Sequence, residues 1–144
     1  MKRKKVLQKI LYEILDWSKV LLTGLVIAFV VSRTLVANAQ VPTGSMETTI
    51  MSGSRVLINR LSYVVGEPKR GDIIAFYFPD NKSEKYLKRI IGLPGDKVEG
   101  IGGRIYINGG LLEESYITEE INADFGPYHV PESSYFVMGD NRNN

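Results

Sequence analysis

The sequence predicts a mainly β protein: an N-terminal transmembrane helix followed by an antiparallel β domain. Three observations carry this. Residues 20–31 (VLLTGLVIAFVV) form an apolar run behind a basic amino end. Beyond residue 38 the hydrophobicity breaks into short runs rich in Ile, Val, Tyr and Phe, as strands prefer. Turn-forming pairs such as Pro94-Gly95 and Asn108-Gly109 separate those runs, with no alternating helix pattern that would support a parallel sheet. The 144 residues, 44% apolar and 24% charged, have the composition of an ordinary folded protein.

The helix comes first. Residues 1–37 carry seven basic and two acidic side chains, a net of +5, and the remainder eleven basic and fourteen acidic, a net of −3. An acidic remainder beside an apolar run argues against nucleic acid as a partner and for a lipid bilayer. A spanning helix needs about 20 mostly apolar residues. Counting from Trp17 to Val36 supplies them, with Lys19 and Arg33 near the ends where their stems reach the headgroups. Ala37-Asn38-Ala39 follows, the small-x-small pattern of a signal cleavage site. A retained anchor is preferred to a cleaved signal because Arg33 and Thr34 interpose polar bulk. The expected organisation is a cytoplasmic basic segment at 1–16, a signal anchor at 17–37 and an extracytoplasmic β domain at 38–144, oriented by the positive-inside bias.

Expected strands are residues 55–59, 72–78, 86–93, 96–99, 104–107 and 135–138. Pro94-Gly95 suits the centre of a type II turn, and Asn108-Gly109 a type I′ hairpin joining 104–107 to Leu111 and Leu112. Residues 126–131 (GPYHVP), flanked by proline, read as a loop leading into a strand.

Little of the composition can do chemistry. With no cysteine and one histidine, disulfides, Cys-based metal centres and Cys nucleophiles are excluded, and no metal or cofactor is expected. His129 lies in the proline-flanked stretch and makes a poor triad member. Glu113-Glu114 and Glu119-Glu120 are adjacent pairs, pointing to opposite faces of a strand or solvated in a loop. Residues 100–103 lack the Lys-Ser/Thr and helix of a phosphate loop. Two segments remain. In residues 41–50 (VPTGSMETTI), Pro42 and Gly44 allow a sharp bend that presents Ser45, while Val41, Met46 and Ile50 face an apolar surface. On residues alone Ser45 is an ordinary turn serine or a nucleophile. In residues 86–92 (YLKRIIG), an extended strand puts Lys88 on one face with Tyr86 and Ile90, and Leu87, Arg89 and Ile91 on the other. Lys88 is then either an edge-strand lysine that discourages aggregation or a desolvated base.

Residues 42–50, 71–76 (GDIIAF), 88–96 (KRIIGLPGD) and 139–144 (GDNRNN) resemble, in order, the sequence boxes of the type I signal peptidases of the short Gram-positive kind. The resemblance runs from the apolar segment to the last residue. It implies a membrane-anchored serine endopeptidase that removes signal peptides from exported preproteins after small-x-small sites, with the export machinery as a partner. Ser45 would be the nucleophile, Lys88 the general base, and Thr43 with the Ser45 backbone N–H the oxyanion donors. Val41, Met46, Ile50, Tyr86 and Leu87 would line the substrate pockets. Gly71, Asp72, Arg89, Gly95, Asp96, Gly139, Asp140, Asn141 and Arg142 belong to the boxes as structural residues. Burial against Tyr86, Ile90 and Met46 would lower the Lys88 pKa, with a like-charge contribution from Arg89.

Two departures accompany the resemblance. Glu47-Thr48-Thr49 stands where the commoner pattern has Pro before Thr, which should loosen the turn after Met46. In the family the last box continues through a serine that hydrogen-bonds the lysine and into closing strands, so a C-terminally truncated domain is expected here. That leaves a second reading, an impaired relative that binds exported chains without cutting them. A self-cleaving Ser/Lys repressor-type protease is disfavoured by the membrane segment. Ala37-Asn38-Ala39 could also be a self-cleavage site.

Overall fold

The computed structural model describes residues 2–144; residue 1 of the expected basic segment lies outside them. It divides into two compact units, one holding residues up to Ala37 with Asn59–Leu61, the other Asn38–Ile58 with Ser62–Asn144.

The first unit is helix α1, Lys2–Leu35. Its length is roughly 51 Å at 1.5 Å per residue, beyond the approximately 30 Å of a bilayer's hydrocarbon core. Residues 2–16 are therefore part of one helix with the apolar run. Arg3–Arg33 is long and apolar enough to cross a membrane, with a mean hydropathy of 2.0 in its most apolar window. Leu21, Leu22, Leu25, Ile27 and Phe29 are all exposed. Over residues 20–31 the helix is apolar nearly all round and has no charged stripe. The Arg60 N–H donates to the Leu35 carbonyl at its end (2.9 Å).

Antiparallel sheets organise the rest of the chain. Strands β1 (Val36–Gln40) and β2 (Arg55–Asn59) form a two-stranded sheet. A short helix, α2 (Ser62–Val65), precedes β3 (Ile73–Phe78). Strand β4 (Asn81–Gly92) lies between β3 and β9 (Phe136–Met138). Strands β5 (Lys97–Ile101), β6 (Arg104–Ile107), β7 (Gly110–Leu111) and β8 (Phe125–His129) form the third sheet in the order β7-β6-β5-β8.

The expected turns form with the expected geometry. The Asp96 N–H donates to the Leu93 carbonyl (3.0 Å), and Gly95 has φ 82°, as the third residue of a type II turn needs. Asn108 and Gly109 have φ 53° and 83° and join β6 to β7 with Ile107 opposite Gly110, a type I′ hairpin. The β2 and β6 boundaries agree with the sequence reading. Two strands were not expected. The sequence reads residues 36 and 37 as the anchor's end and 38–40 as the start of the exterior domain without a strand, and residues 126–129 as a loop. The second is a correction with a clear cause: β8 is an edge strand, where Pro127 removes no ladder donor from a second neighbour.

The core lies beneath β4, β5 and β6. Ile91, Val98, Ile105 and Val130 are buried together, with Tyr116, Phe125, Phe136 and Met138 packed against them. Fully burying a side chain of this size stabilises by about 1.5–3 kcal/mol. Strand β4 is the key positioning element: it is exposed at its start and fully buried by Ile90 and Ile91. Residues 86–89 sit at the transition, anchored by the core on one side and open to solvent on the other.

Candidate functional site

The site is a cleft of about 840 Å³ in the second unit, lined from β1, the 41–46 segment, β2, β3 and β4. Ser45 and Lys88 both line it, as do Val41, Thr43, Met46, Tyr86 and Leu87. Ile50, expected among the substrate pocket residues, is not a lining residue; its N–H closes a helical turn onto the Met46 carbonyl (2.8 Å).

The bend carrying Ser45 is tightly held. Val41 is tied on both sides, its N–H donating to the Ser54 carbonyl (2.9 Å) and its carbonyl accepting from the Gly53 N–H (2.8 Å). The Glu47 N–H donates to the Gly44 carbonyl (3.0 Å). Met46 is 1% exposed, so burial fixes the residue after the serine. Ser45 itself is 9% exposed, and its Oγ lies 3.4 Å from Thr43 Oγ1.

The segment after β9 clamps this bend from behind. The Asn141 N–H donates to the Ser45 carbonyl (3.1 Å), and Asn141 Nδ2 donates to the Gly44 carbonyl (3.2 Å). Asp140 is fully buried and accepts from Arg89 Nε (2.8 Å) and Nη2 (2.6 Å) and from Thr49 Oγ1 (2.5 Å). Arg89 also donates to the Gly71 carbonyl (2.7 Å) and lies over the Tyr116 ring at 3.9 Å. The buried Asp140–Arg89 pair thus joins the serine bend, the lysine strand and the 71–76 segment. The expected loosening after Met46 is corrected by the Thr49–Asp140 bond and the Ile50–Met46 turn, which hold residues 46–50 without a proline.

Lys88 is half-buried, opposite Ile74 of β3. Desolvation by burial lowers its pKa from the ordinary lysine value, because the charged form loses hydration. The like-charge contribution expected from Arg89 is not found; its charge is matched by Asp140 at 2.6 Å on the other face of the strand.

Other box residues stiffen the surroundings. Asp96 accepts from the Leu93 N–H (2.6 Å), Asn108 Nδ2 (2.8 Å) and Arg70 Nη2 (3.0 Å). Burial pushes its pKa up, but these donors outweigh burial and hold it below the usual carboxylate value. Asp72 accepts from the Lys69 N–H (3.0 Å) and the Tyr63 hydroxyl (3.1 Å). Arg142 donates to the Gly139 carbonyl (2.9 Å) and forms a two-armed pair with Glu114, whose side chain is 4% exposed. This corrects the reading of Glu113-Glu114 as solvated: Glu114 also accepts from the Tyr116 hydroxyl (2.6 Å), and burial first, then Glu114, raises the Tyr116 pKa.

Sequence reasoning missed the other cleft walls: Asn38, Ala39 and Gln40 of β1, Val56 and Ile58 of β2, Ala75 of β3, Ser83, Glu84 and Lys85 of β4, and Asn144. The alternating burial of β2 was visible in RVLIN as a strand pattern, but its direction toward a cleft was not. Among the described residues no group of His, Asp and Glu could hold a metal ion.

The fold and site together define a class: an apolar N-terminal helix in sequence with an antiparallel β domain whose cleft is lined by Ser45 and the half-buried Lys88, among others. Sequence comparison with known proteins agrees. The family model for signal peptidase, peptidase S26, matches residues 14–144. A probable signal peptidase I-2 from Synechocystis sp. is 40% identical over 136 residues, covering 90% of this chain and 62% of its own length. Signal peptidase I P from Bacillus subtilis subsp. natto is 37% identical over 141 residues, covering 91% of this chain and 76% of that protein. A solved signal peptidase I from Enterococcus faecalis V583 matches with a TM-score of 0.48 and 40% identity, over 54% of this chain and 80% of that one. The chain belongs to the signal peptidase S26 family. It spans less than two thirds of the length of the Synechocystis relative.

Proposed function

We propose that the chain is a membrane-anchored serine endopeptidase that removes N-terminal signal peptides from exported preproteins after small-x-small sites. The observation that carries this is the shared cleft of Ser45 and Lys88, with the lysine pKa lowered by desolvation.

A serine hydroxyl attacks only when a base takes its proton, and a lysine does so only when neutral. Burial of Lys88 favours that neutral form. In the proposed reaction Lys88 Nζ accepts the proton of Ser45 Oγ as Oγ adds to the scissile carbonyl. The oxyanion is held by the Ser45 backbone N–H and the Thr43 hydroxyl, the latter already 3.4 Å from Ser45 Oγ. Collapse expels the new amine, which takes the proton from Lys88, and water then releases the acyl group by the reverse sequence. Thr43 supplies the same donor as serine with an added methyl.

Val41, Met46, Tyr86 and Leu87 shape the shallow pockets for small side chains, and Ile50 closes the turn after Met46 through its N–H. An extended substrate strand presents alternate side chains to one face, which explains a small-x-small rule. The anchor, proposed at 17–37 and helical up to Leu35, tethers the catalytic domain, 38–144, to the bilayer that holds the substrate's signal region and raises its effective concentration. The basic 1–16 segment orients it with the amino end in the cytoplasm, and preproteins arrive from the export machinery.

The test is cleavage of an Ala-x-Ala preprotein by the full chain in detergent micelles. Ser45→Ala is expected to abolish cleavage, and Lys88→Ala to lower it at least 10²-fold, as loss of a general base does. Wild-type rates in either variant overturn the reading; substrate binding by an uncut complex favours the non-cleaving relative.

A further inference from the structure

The first half of β4 departs from regular pairing. Residues 73–77 pair in register with 85–89, but Phe78 pairs with Asn81, so residues 82–84 form an excursion with no partners on β3. This excursion is tied together rather than loose. Asn81 Oδ1 accepts from the Ser83 N–H (3.2 Å) and Oγ (2.6 Å), and Asn81 Nδ2 donates to Glu84 Oε1 (2.8 Å). The Tyr86 hydroxyl donates to Glu84 Oε2 (3.3 Å), and Tyr86 is itself fixed by stacking on Phe78 at 4.8 Å.

Glu84 lines the same cleft as Ser45 and Lys88. Contact with Tyr86 puts it on the Tyr86–Lys88 face of the strand. Both carboxylate oxygens are held by neutral donors, and none of the ion pairs among the described residues involves it. The neighbouring cations are Lys82, which is exposed, Lys85, which lines the cleft but holds its ammonium over the Tyr77 ring at 5.3 Å, and Lys88, whose charged form burial disfavours. The cleft therefore has an oriented carboxylate that no lysine pairs with directly among the described residues.

We propose that Glu84 is a specificity-determining residue that selects a basic side chain in the substrate, upstream of the small-x-small site. This rests on the reading of the cleft as the substrate groove. Tyr86 and Leu87 are assigned there to the small side chains before the cut, so Glu84 lies farther upstream. At roughly 3.3 Å per residue it faces the substrate about four to six residues before the cleaved bond. An exposed pair of this kind is worth a few-fold in affinity and weakens with salt.

The test uses the full chain carrying Ser45→Ala, in detergent, with fluorescent ten-residue Ala-x-Ala peptides that place Lys or Glu at each upstream position in turn. At low salt one position is expected to bind about fivefold tighter with Lys than with Glu. Glu84→Gln should bring that ratio within twofold, and Glu84→Lys should invert it. Tight binding of the neutral parent peptide with no charge preference, or a preference that survives Glu84→Gln, overturns the assignment of Glu84 alone. Failure of the parent peptide to bind overturns the substrate groove and the assignment with it.

Discussion

Gly139→Ala probes the contact on which the geometry of Ser45 depends. A β-carbon at residue 139 would stand 2.2 Å from the Ser45 carbonyl oxygen and 3.2 Å from its carbonyl carbon, where ordinary contact begins near 3.4 Å. The two segments must part by roughly 1 Å, and overpacking of this kind costs about 1–3 kcal/mol. The same carbonyl accepts the Asn141 N–H at 3.1 Å, so the clamp opens as the serine moves. A displacement of about 1 Å at a reacting group lowers the rate on the order of 10²-fold. The assay is kcat/KM on an Ala-x-Ala peptide beside urea unfolding and amide hydrogen exchange at Asn141. Gly110→Ala serves as the control, since its β-carbon meets only the Ile107 carbonyl oxygen at 3.5 Å. The variant should remain folded, lose about 10²-fold in rate and exchange faster at Asn141. A wild-type rate with Asn141 still protected would falsify the clamp.

Three further predictions follow from the charges. Burial lowers the Lys88 pKa below 10.5, so kcat/KM should rise with pH through that lowered value. The unfolded chain keeps this proton to higher pH than the folded one, so stability also rises with pH across the window below 10.5. Lys88→Met should then raise the urea midpoint at pH 7 and flatten that rise; a lower midpoint would contradict desolvation. Asp140→Ala leaves Arg89 without its partner and should cost about 3–5 kcal/mol in urea unfolding, while Asp140→Leu with Arg89→Met should cost less than the single change. Equal losses would argue against the buried pair as the cause. Asp96 is held below its ordinary value of 3.8, so its contribution is present above that pH and is lost as pH falls through the folded-state value. Asp96→Asn should flatten the acid limb of the stability curve; an unchanged limb would contradict it.

Much of this architecture is legible in the sequence because its signals are local. The apolar run, the Ile- and Val-rich strands and the Asn108-Gly109 hairpin each depend on a few adjacent residues. Strand β8 was hidden because Pro127 reads as a breaker when its edge position is unknown. Strand β1 was hidden because it directly continues the helix. The candidate site divides in the same way. Ser45 and Lys88 lie in recognisable boxes, whereas the partnership of Thr49, Arg89 and Asp140 joins positions up to 91 residues apart. Glu114 looked solvated because nothing in its neighbourhood announces Arg142, 28 residues away. The excursion that turns Glu84 into the cleft is a register shift between two strands, a property of their pairing.

The central claim is that Ser45 is the nucleophile and Lys88 its base. Intact-protein and peptide mass spectrometry after treating the full chain with a serine-acylating, substrate-like electrophile tests it most directly. The account predicts one adduct, on the peptide containing Ser45, formed faster as pH rises and lost in Lys88→Met. An adduct on another residue, or undiminished labelling of Ser45 in Lys88→Met, would contradict it.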